Sequence, residues 1–290
     1  MKTALVLVLA TLACATARAQ QDFSKVEMKS ERVAGNVYVL QGAGGNIGVS
    51  AGPDGLLIVD DEFLPLAPKI EAALQQINPG KLKFVLNTHY HGDHTGSNAH
   101  FGRQAPIIAH ANVRKRLGRT PAPKEALPVV TFDETLSVHF NGEEIKLRHV
   151  PSGHTDSDCL IFFTKSNVVH MGDQFFCGMF PNIDLNGGGS IKGYIQNVAH
   201  AIETIPADAR IIPGHGPVGG IEELKQFHQM LVATSAFVEK QIAGGKTIEQ
   251  VKKEGVPAEW KKWAGPSITE DRWLDILYRG LSPGDAPKVP

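Results

Sequence analysis

The stretch Phe84-Val85-Leu86-Asn87-Thr88-His89-Tyr90-His91-Gly92-Asp93-His94 decides the reading of this chain. A largely apolar run, read as a buried strand, ends on three imidazoles and a carboxylate within six residues. His89 and His91 lie two apart along extended chain, so their side chains leave the same side. Asp93 and His94 follow in a turn broken by Gly92. The chain has 12 histidines, and chance would scatter them rather than pack three beside an aspartate. Zn²⁺ accepts imidazole nitrogen and carboxylate oxygen and lowers the pKa of a bound water toward neutrality, so the pattern points to a metal-dependent hydrolase.

Three isolated positions share the same local context. His154 follows a strand-like segment in Pro151-Ser152-Gly153-His154, Asp173 ends the apolar run Val168-Val169-His170-Met171-Gly172-Asp173, and His215 sits in Ile211-Ile212-Pro213-Gly214-His215. Each is expected where a strand stops and a loop begins, which would bring all three to one sheet edge.

Around these positions the patterning predicts strands over 36–40, 46–50, 56–59, 135–140, 143–150, 159–164 and 168–171. Helices are expected over 67–77, 109–117, 191–205, 221–243, 247–254 and 270–278, with Ser190 as the N-cap of the third. No repeat or linker divides the sequence. A single two-sheet sandwich with helices outside follows.

The series Thr88-His89-Tyr90-His91-Gly92-Asp93-His94-Thr95-Gly96, Gly153-His154-Thr155, Gly172-Asp173 and Pro213-Gly214-His215-Gly216 resembles the metallo-β-lactamase superfamily. The resemblance runs over residues 35–220 and implies an α/β fold, an αββα sandwich of two mixed β-sheets flanked by helices. It implies two zinc ions, with His89, His91 and His154 on the first, Asp93, His94 and His215 on the second, and Asp173 bridging both. Asp93 is also expected to orient the nucleophile or shuttle its proton, and Asp60 to buttress the metal loop from behind. Asp173 stands where many β-lactamases carry cysteine, so the ligand set is closer to glyoxalase II and lactonases. Phe176 stands where lactonases often have a tyrosine.

The resemblance leaves the substrate open. A small molecule with a scissile carbonyl bond is expected, β-lactam ring opening first, a lactone or thioester second; a mononuclear iron sulfur dioxygenase is the alternative from another class. In the loop after Asp173, Phe176 would hold an apolar moiety, while Gly188, Ser190 and the opening amides of the next helix would receive a carboxylate, with Lys192 and Tyr194 in reach. The same residues also fit a packed core with plain turns.

Residues 1–19 read as a cleavable signal peptide: Lys2, an apolar stretch over 4–13, and Ala17-Arg18-Ala19 before Gln20. Residues 20–290 are then one domain in a secreted or periplasmic product. Composition agrees, with 42% hydrophobic residues, 20% charged and a net charge of -1, which gives no pull toward nucleic acid or anionic membrane. The basic run Arg114-Lys115-Arg116 with Arg119 is read as a solvated helix face, Trp260, Trp263 and Trp273 as packing for a terminal helical segment, and 282–290 as a loose tail. No stable membrane insertion is expected, and the oligomeric state is open. Beyond the leader only Cys159 and Cys177 remain, as one disulfide or two buried thiols.

Overall fold

The computed structural model describes residues 22–282; the expected signal peptide and nearly all of the tail lie outside them. In chain order the elements are β1 (Lys29–Ala34), β2 (Val37–Gln41), β3 (Ile47–Gly52), β4 (Gly55–Val59), α1 (Ala67–Ile77), β5 (Leu82–Asn87), α2 (Gly92–Thr95), α3 (Asn98–Phe101), β6 (Ile107–His110) and α4 (Ala111–Leu117). There follow β7 (Val130–Phe132), β8 (Thr135–Phe140), β9 (Glu143–His149), β10 (Cys159–Phe163), β11 (Val168–Phe176), α5 (Ile191–Thr204), β12 (Arg210–His215), α6 (Ile221–Ala243), α7 (Ile248–Glu254) and α8 (Glu270–Leu281).

Strands β1 to β7 form one sheet in sequence order, antiparallel up to β4 and parallel from there. The second sheet has the order β12-β11-β10-β9-β8, with only the β11–β12 pair parallel. Both sheets are therefore mixed, as expected. Three apolar layers hold them. Val39, Leu57, Val59, Ile145, Ile161 and Ile212 pack between the sheets. Ile70 and Leu74 of α1, four apart on one helix face, seal the outside of the first sheet with Val49 and Ile58. Leu224, Phe227, Leu231 and Val238 of α6 recur at helical spacing and join α5 and α8 over the second sheet.

Several boundaries differ from the pattern-based expectation. Strands β1, β6 and β7 escape it: β1 is an edge whose Lys29, Ser30, Glu31 and Arg32 are exposed, so it carries no apolar alternation, and β6 and β7, of 4 and 3 residues, are too short to show one. The helix expected from 109 begins at Ala111, because Ala109 pairs with Asn87 and Thr131 in the sheet and the His110 side chain accepts from Asn112 N as the N-cap. The turn after Gly92 closes into the short helix α2, with His94 N and Thr95 N both donating to His91 O. Strand β11 does not stop at Met171; it kinks at Gly172 (φ 50), shifts register on β12 and continues to Phe176. Asp173 is thus inside a strand rather than at its end.

Cys159 and Cys177 are both buried and free. Arg116 corrects the solvated-face reading: its side chain turns inward and holds Asp156 with two bonds of 2.6 Å. The tryptophans do pack the terminal helices, Trp273 being fully buried and stacked on Phe180.

Candidate metal centre and its cavity

Asp60 organises the metal loop from behind. It is fully buried and accepts from Thr88 N at 2.8 Å, from the Thr88 hydroxyl at 2.7 Å and from His94 Nδ1 at 2.8 Å. The Thr88 hydroxyl also lies 3.0 Å from His89 Nδ1. Two rings thereby have one nitrogen engaged behind them and the other turned into the site. Asp60 (φ 65) and Glu62 (φ 52) hold left-handed backbone, which costs roughly 1–3 kcal/mol each. Glu62 uses its position to fasten Ala43 N and Gly44 N at 3.0 Å each. The next residue, Gly45, lies against the His94 ring so closely that a Cβ there would clash with it.

The remaining donors come from the second sheet. His154 follows β9, and Asn182 O fixes its Nδ1 at 2.7 Å; its Nε2 lies 2.8 Å from His91 Nδ1. Asp173 straddles the cluster. Its Oδ2 lies 3.3 Å from His154 Nε2 and 3.8 Å from His89 Nε2, while Oδ1 lies 3.0 Å from His94 Nε2 and 3.5 Å from His215 Nε2. His215, the last residue of β12, lies 3.3 Å from Asp93 Oδ2. Two donor groups result, His89, His91, His154 and Asp173 in one and Asp93, His94 and His215 in the other. All seven residues singled out in the sequence are brought together here.

The electrostatics are those of a cation site. Burial opposes ionisation of Asp173, yet His94, His215, His154 and His89 hold its carboxyl well below the usual range. Asp93 is likewise held at about 2, against burial, by His94 and His215. Burial keeps His154 at about 4, and burial with His94 keeps His89 well below its ordinary value. Buried His94 is instead pushed well above its ordinary value by Asp173, Asp93 and Asp60. His89 Nε2 is buried without a hydrogen-bond partner. Orphaned buried polar atoms are costly, and a divalent cation is the partner that this nitrogen and oxygen set accepts.

Behind His91 stands a residue the sequence did not disclose. Asp184 Oδ2 lies 3.0 Å from His91 Nε2 and accepts from the Tyr90 hydroxyl, while Oδ1 accepts from Gly187 N at 2.8 Å. Burial alone would raise its carboxyl, but His91 and Tyr90 hold it well below the usual range. The Arg116 guanidinium lies 5.0 Å from the centre of the Tyr90 ring, so Arg116 and Asp156 continue the network outward.

A cavity of about 370 Å³ opens over the cluster, with His91, Asp93, Asp173 and His215 at its polar end. Phe176, stacked on His215 at 5.0 Å, lines it, with Met179 and Phe180 from the loop that follows β11. Gly188, Ser190 and Lys192 do not line it. Gly188 ends a short turn beside Asp156, the Ser190 side chain caps α5 by accepting from Gly193 N, and Lys192 points to solvent on α5. Tyr194 is fully buried, donating to Asp173 O at 2.5 Å. Gly265, Pro266, Ser267 and Ile268, from the segment before α8, complete the wall.

The two-sheet sandwich carries a buried His/Asp cage at the sheet ends, a set of groups that could hold metal ions. The sequence profile of the metallo-β-lactamase superfamily matches residues 31–215, and the chain belongs to that superfamily. Among curated relatives, a hydroxyacylglutathione hydrolase of Polaromonas sp. is 28% identical over 154 residues, 52% of this chain and 55% of that protein. A metallo-β-lactamase type 2 of Bacteroides fragilis is 20% identical over 153 residues, 52% of this chain and 60% of that protein. The aligned region thus spans little more than half the length of these two relatives. The solved DIM-1 metallo-β-lactamase superposes with a TM-score of 0.62 at 19% identity, covering 71% of this chain and 98% of the other. A metallo-β-lactamase from Pontibacter korlensis gives 0.61 at 15% identity, covering 71% and 99%. Among the described residues no helix is long and apolar enough to cross a membrane.

Proposed function

We propose that this chain is a dizinc hydrolase that adds water across a carbonyl bond of a small molecule. The observation that carries the reading is the division of seven donors into two groups, with Asp173 of the first reaching His94 and His215 of the second at 3.0 and 3.5 Å, and His89 Nε2 buried and unpartnered. His89, His91 and His154 would hold one ion and Asp93, His94 and His215 the other, with Asp173 common to both. Bound there, such ions supply Lewis acidity and bring the pKa of water toward neutrality.

The protein groups supply the rest. Asp93 keeps a partly exposed carboxylate at the boundary between cluster and cavity, placed to take a proton from water on Oδ2 and return it to the leaving group. Asp60 and Asp184 fix the rings of His94 and His91. Phe176 covers His215 and excludes water from that side. Of the carbonyl bonds expected from the sequence, β-lactam amide and lactone or thioester, the straddling carboxylate and the likeness to a hydroxyacylglutathione hydrolase support the second. Secretion to the periplasm through the leader at 1–19 belongs to the same proposal.

Elemental analysis of the purified protein alongside hydrolysis assays of wild type and Asp93→Asn tests the reading. Two zinc per chain and a loss of kcat of at least about 100-fold in the variant are expected. One iron per chain with oxygen consumption would replace it with the dioxygenase alternative.

A further inference from the structure

The match to the superfamily profile ends at residue 215, yet the far wall of the cavity, Gly265 to Ile268, is built from residues well beyond it. That wall is fixed in place. Gly265 N donates to Ile268 O at 3.0 Å, and the preceding turn is tied to the loop after Asp173 by Phe180 N donating to Trp263 O at 2.9 Å. Trp263 is buried on Phe227 of α6, so the segment belongs to the helical layer rather than to a tail.

The chemistry of the cavity is one-sided. Phe176, Met179, Phe180, Pro266 and Ile268 present apolar groups, and Asn182 and Ser267 are its uncharged polar side chains. Among the described residues no lysine or arginine lines it. Lys192 faces solvent, and Arg116 is bound to Asp156 and covers Tyr90. A ligand carboxylate set against this wall would lose its water and find no lysine or arginine to replace it, whereas an alkyl or aryl group would lose nothing. The volume of about 370 Å³ corresponds to about a dozen waters at roughly 30 Å³ each, a ligand part of about that many heavy atoms.

We propose that the segment Gly265–Ile268 makes this enzyme selective for uncharged carboxylic oxoesters, open-chain or lactone, with an apolar acyl group, and against substrates that carry a carboxylate beside the scissile bond. The inference rests on the hydrolase reading above. In the reaction the oxygen of water bonds to the carbonyl carbon, and the acyl carbon–alkoxy oxygen bond breaks with its electron pair on oxygen. One proton of water ends on that oxygen and the other is released as the new carboxylic acid ionises.

The test uses the full chain with its zinc content measured. Wild type, Ile268→Ala and Ile268→Lys are assayed on p-nitrophenyl butanoate, hexanoate and octanoate, an alkyl δ-lactone, benzylpenicillin and S-lactoylglutathione. Binding of 2-nonanone, an uncharged ketone that cannot be hydrolysed, to the metal-free protein is followed by calorimetry. Wild type is expected to gain about fourfold in kcat/KM for each buried methylene and to favour the neutral esters over penicillin by at least about 100-fold. Ile268→Ala should flatten the chain-length slope. Ile268→Lys, at a half-exposed position, should keep the zinc content, weaken ketone binding about tenfold and narrow the discrimination against penicillin. Preference for penicillin over the neutral esters, or identical profiles in all three proteins, would overturn the inference while the hydrolase stands. Ketone binding sensitive to Ile268 without turnover of any substrate by the zinc-loaded protein would instead overturn the hydrolase reading.

Discussion

Replacing Asp184 by asparagine is expected to weaken metal binding at the group containing His91 by about 10- to 30-fold. The carboxylate accepts from the Tyr90 hydroxyl, lies 3.0 Å from His91 Nε2 and accepts from Gly187 N at 2.8 Å. Asparagine keeps an acceptor for Gly187 N and removes the charge from the other two contacts. A hydrogen bond to a charged group contributes about 1.5–3 kcal/mol, and the side chains of His91 and Asp184 are 19% and 23% exposed, which favours the lower half of that range. At about 1.4 kcal/mol per tenfold, the loss falls within the 10- to 100-fold typical of groups that orient a metal-bound imidazole. The assay is competition with a chromophoric chelator on wild type and variant, with the thermal midpoint of metal-free protein as a control on folding. Affinities within threefold of each other at unchanged stability would refute the view that Asp184 holds His91 for the metal.

Three further outcomes follow from buried groups. Asp60→Ala orphans Thr88 N, the Thr88 hydroxyl and His94 Nδ1, and at about 1–3 kcal/mol per group should lower unfolding free energy by at least about 3 kcal/mol in urea; a loss below 1 kcal/mol would show that the backbone relaxes around the gap. Trp273→Ala removes a fully buried ring stacked on Phe180 and bonded to Thr234 and should cost about 3–5 kcal/mol, read from the denaturant midpoint at constant slope. Burial and the stacked His149 ring hold His110 at about 4, below its unfolded value of 6.5, so the unfolded chain takes up the proton first and stability falls as pH drops from 6.5 toward 4. That slope is worth up to about 3 kcal/mol and should flatten in His110→Asn, which retains an acceptor for the helix cap; an unchanged slope would place the acid sensitivity elsewhere.

The metal cage could be read from residue order because its parts are local signals: a dense ligand cluster and three glycine-marked strand ends. Asp173 came through even though its strand runs on to Phe176, since the Gly172 kink marks the same point in either case. The two-sheet architecture was equally legible, except for β1, which is polar and exposed, and for β6 and β7, whose runs of 4 and 3 residues are too short to show a periodicity. What failed was everything set by contacts between distant segments. Asp184 meets His91 across 93 residues, and the wall at Gly265–Ile268 reaches the cavity through the bond from Phe180 to Trp263; neither has a periodicity to announce it. Lys192 was misplaced because one step along α5 separates a side chain facing solvent from Ile191, which is buried.

His89, His91, Asp93 and His94 ride on the first sheet, whereas His154, Asp173 and His215 ride on the second, so the cage works as a caliper laid across the sandwich. Any slippage between the two slabs changes its gap directly. Substitutions deep in the interior, remote from every donor, will therefore be felt as altered ion retention before they are felt as unfolding, and tight ion binding in turn locks the slabs in register.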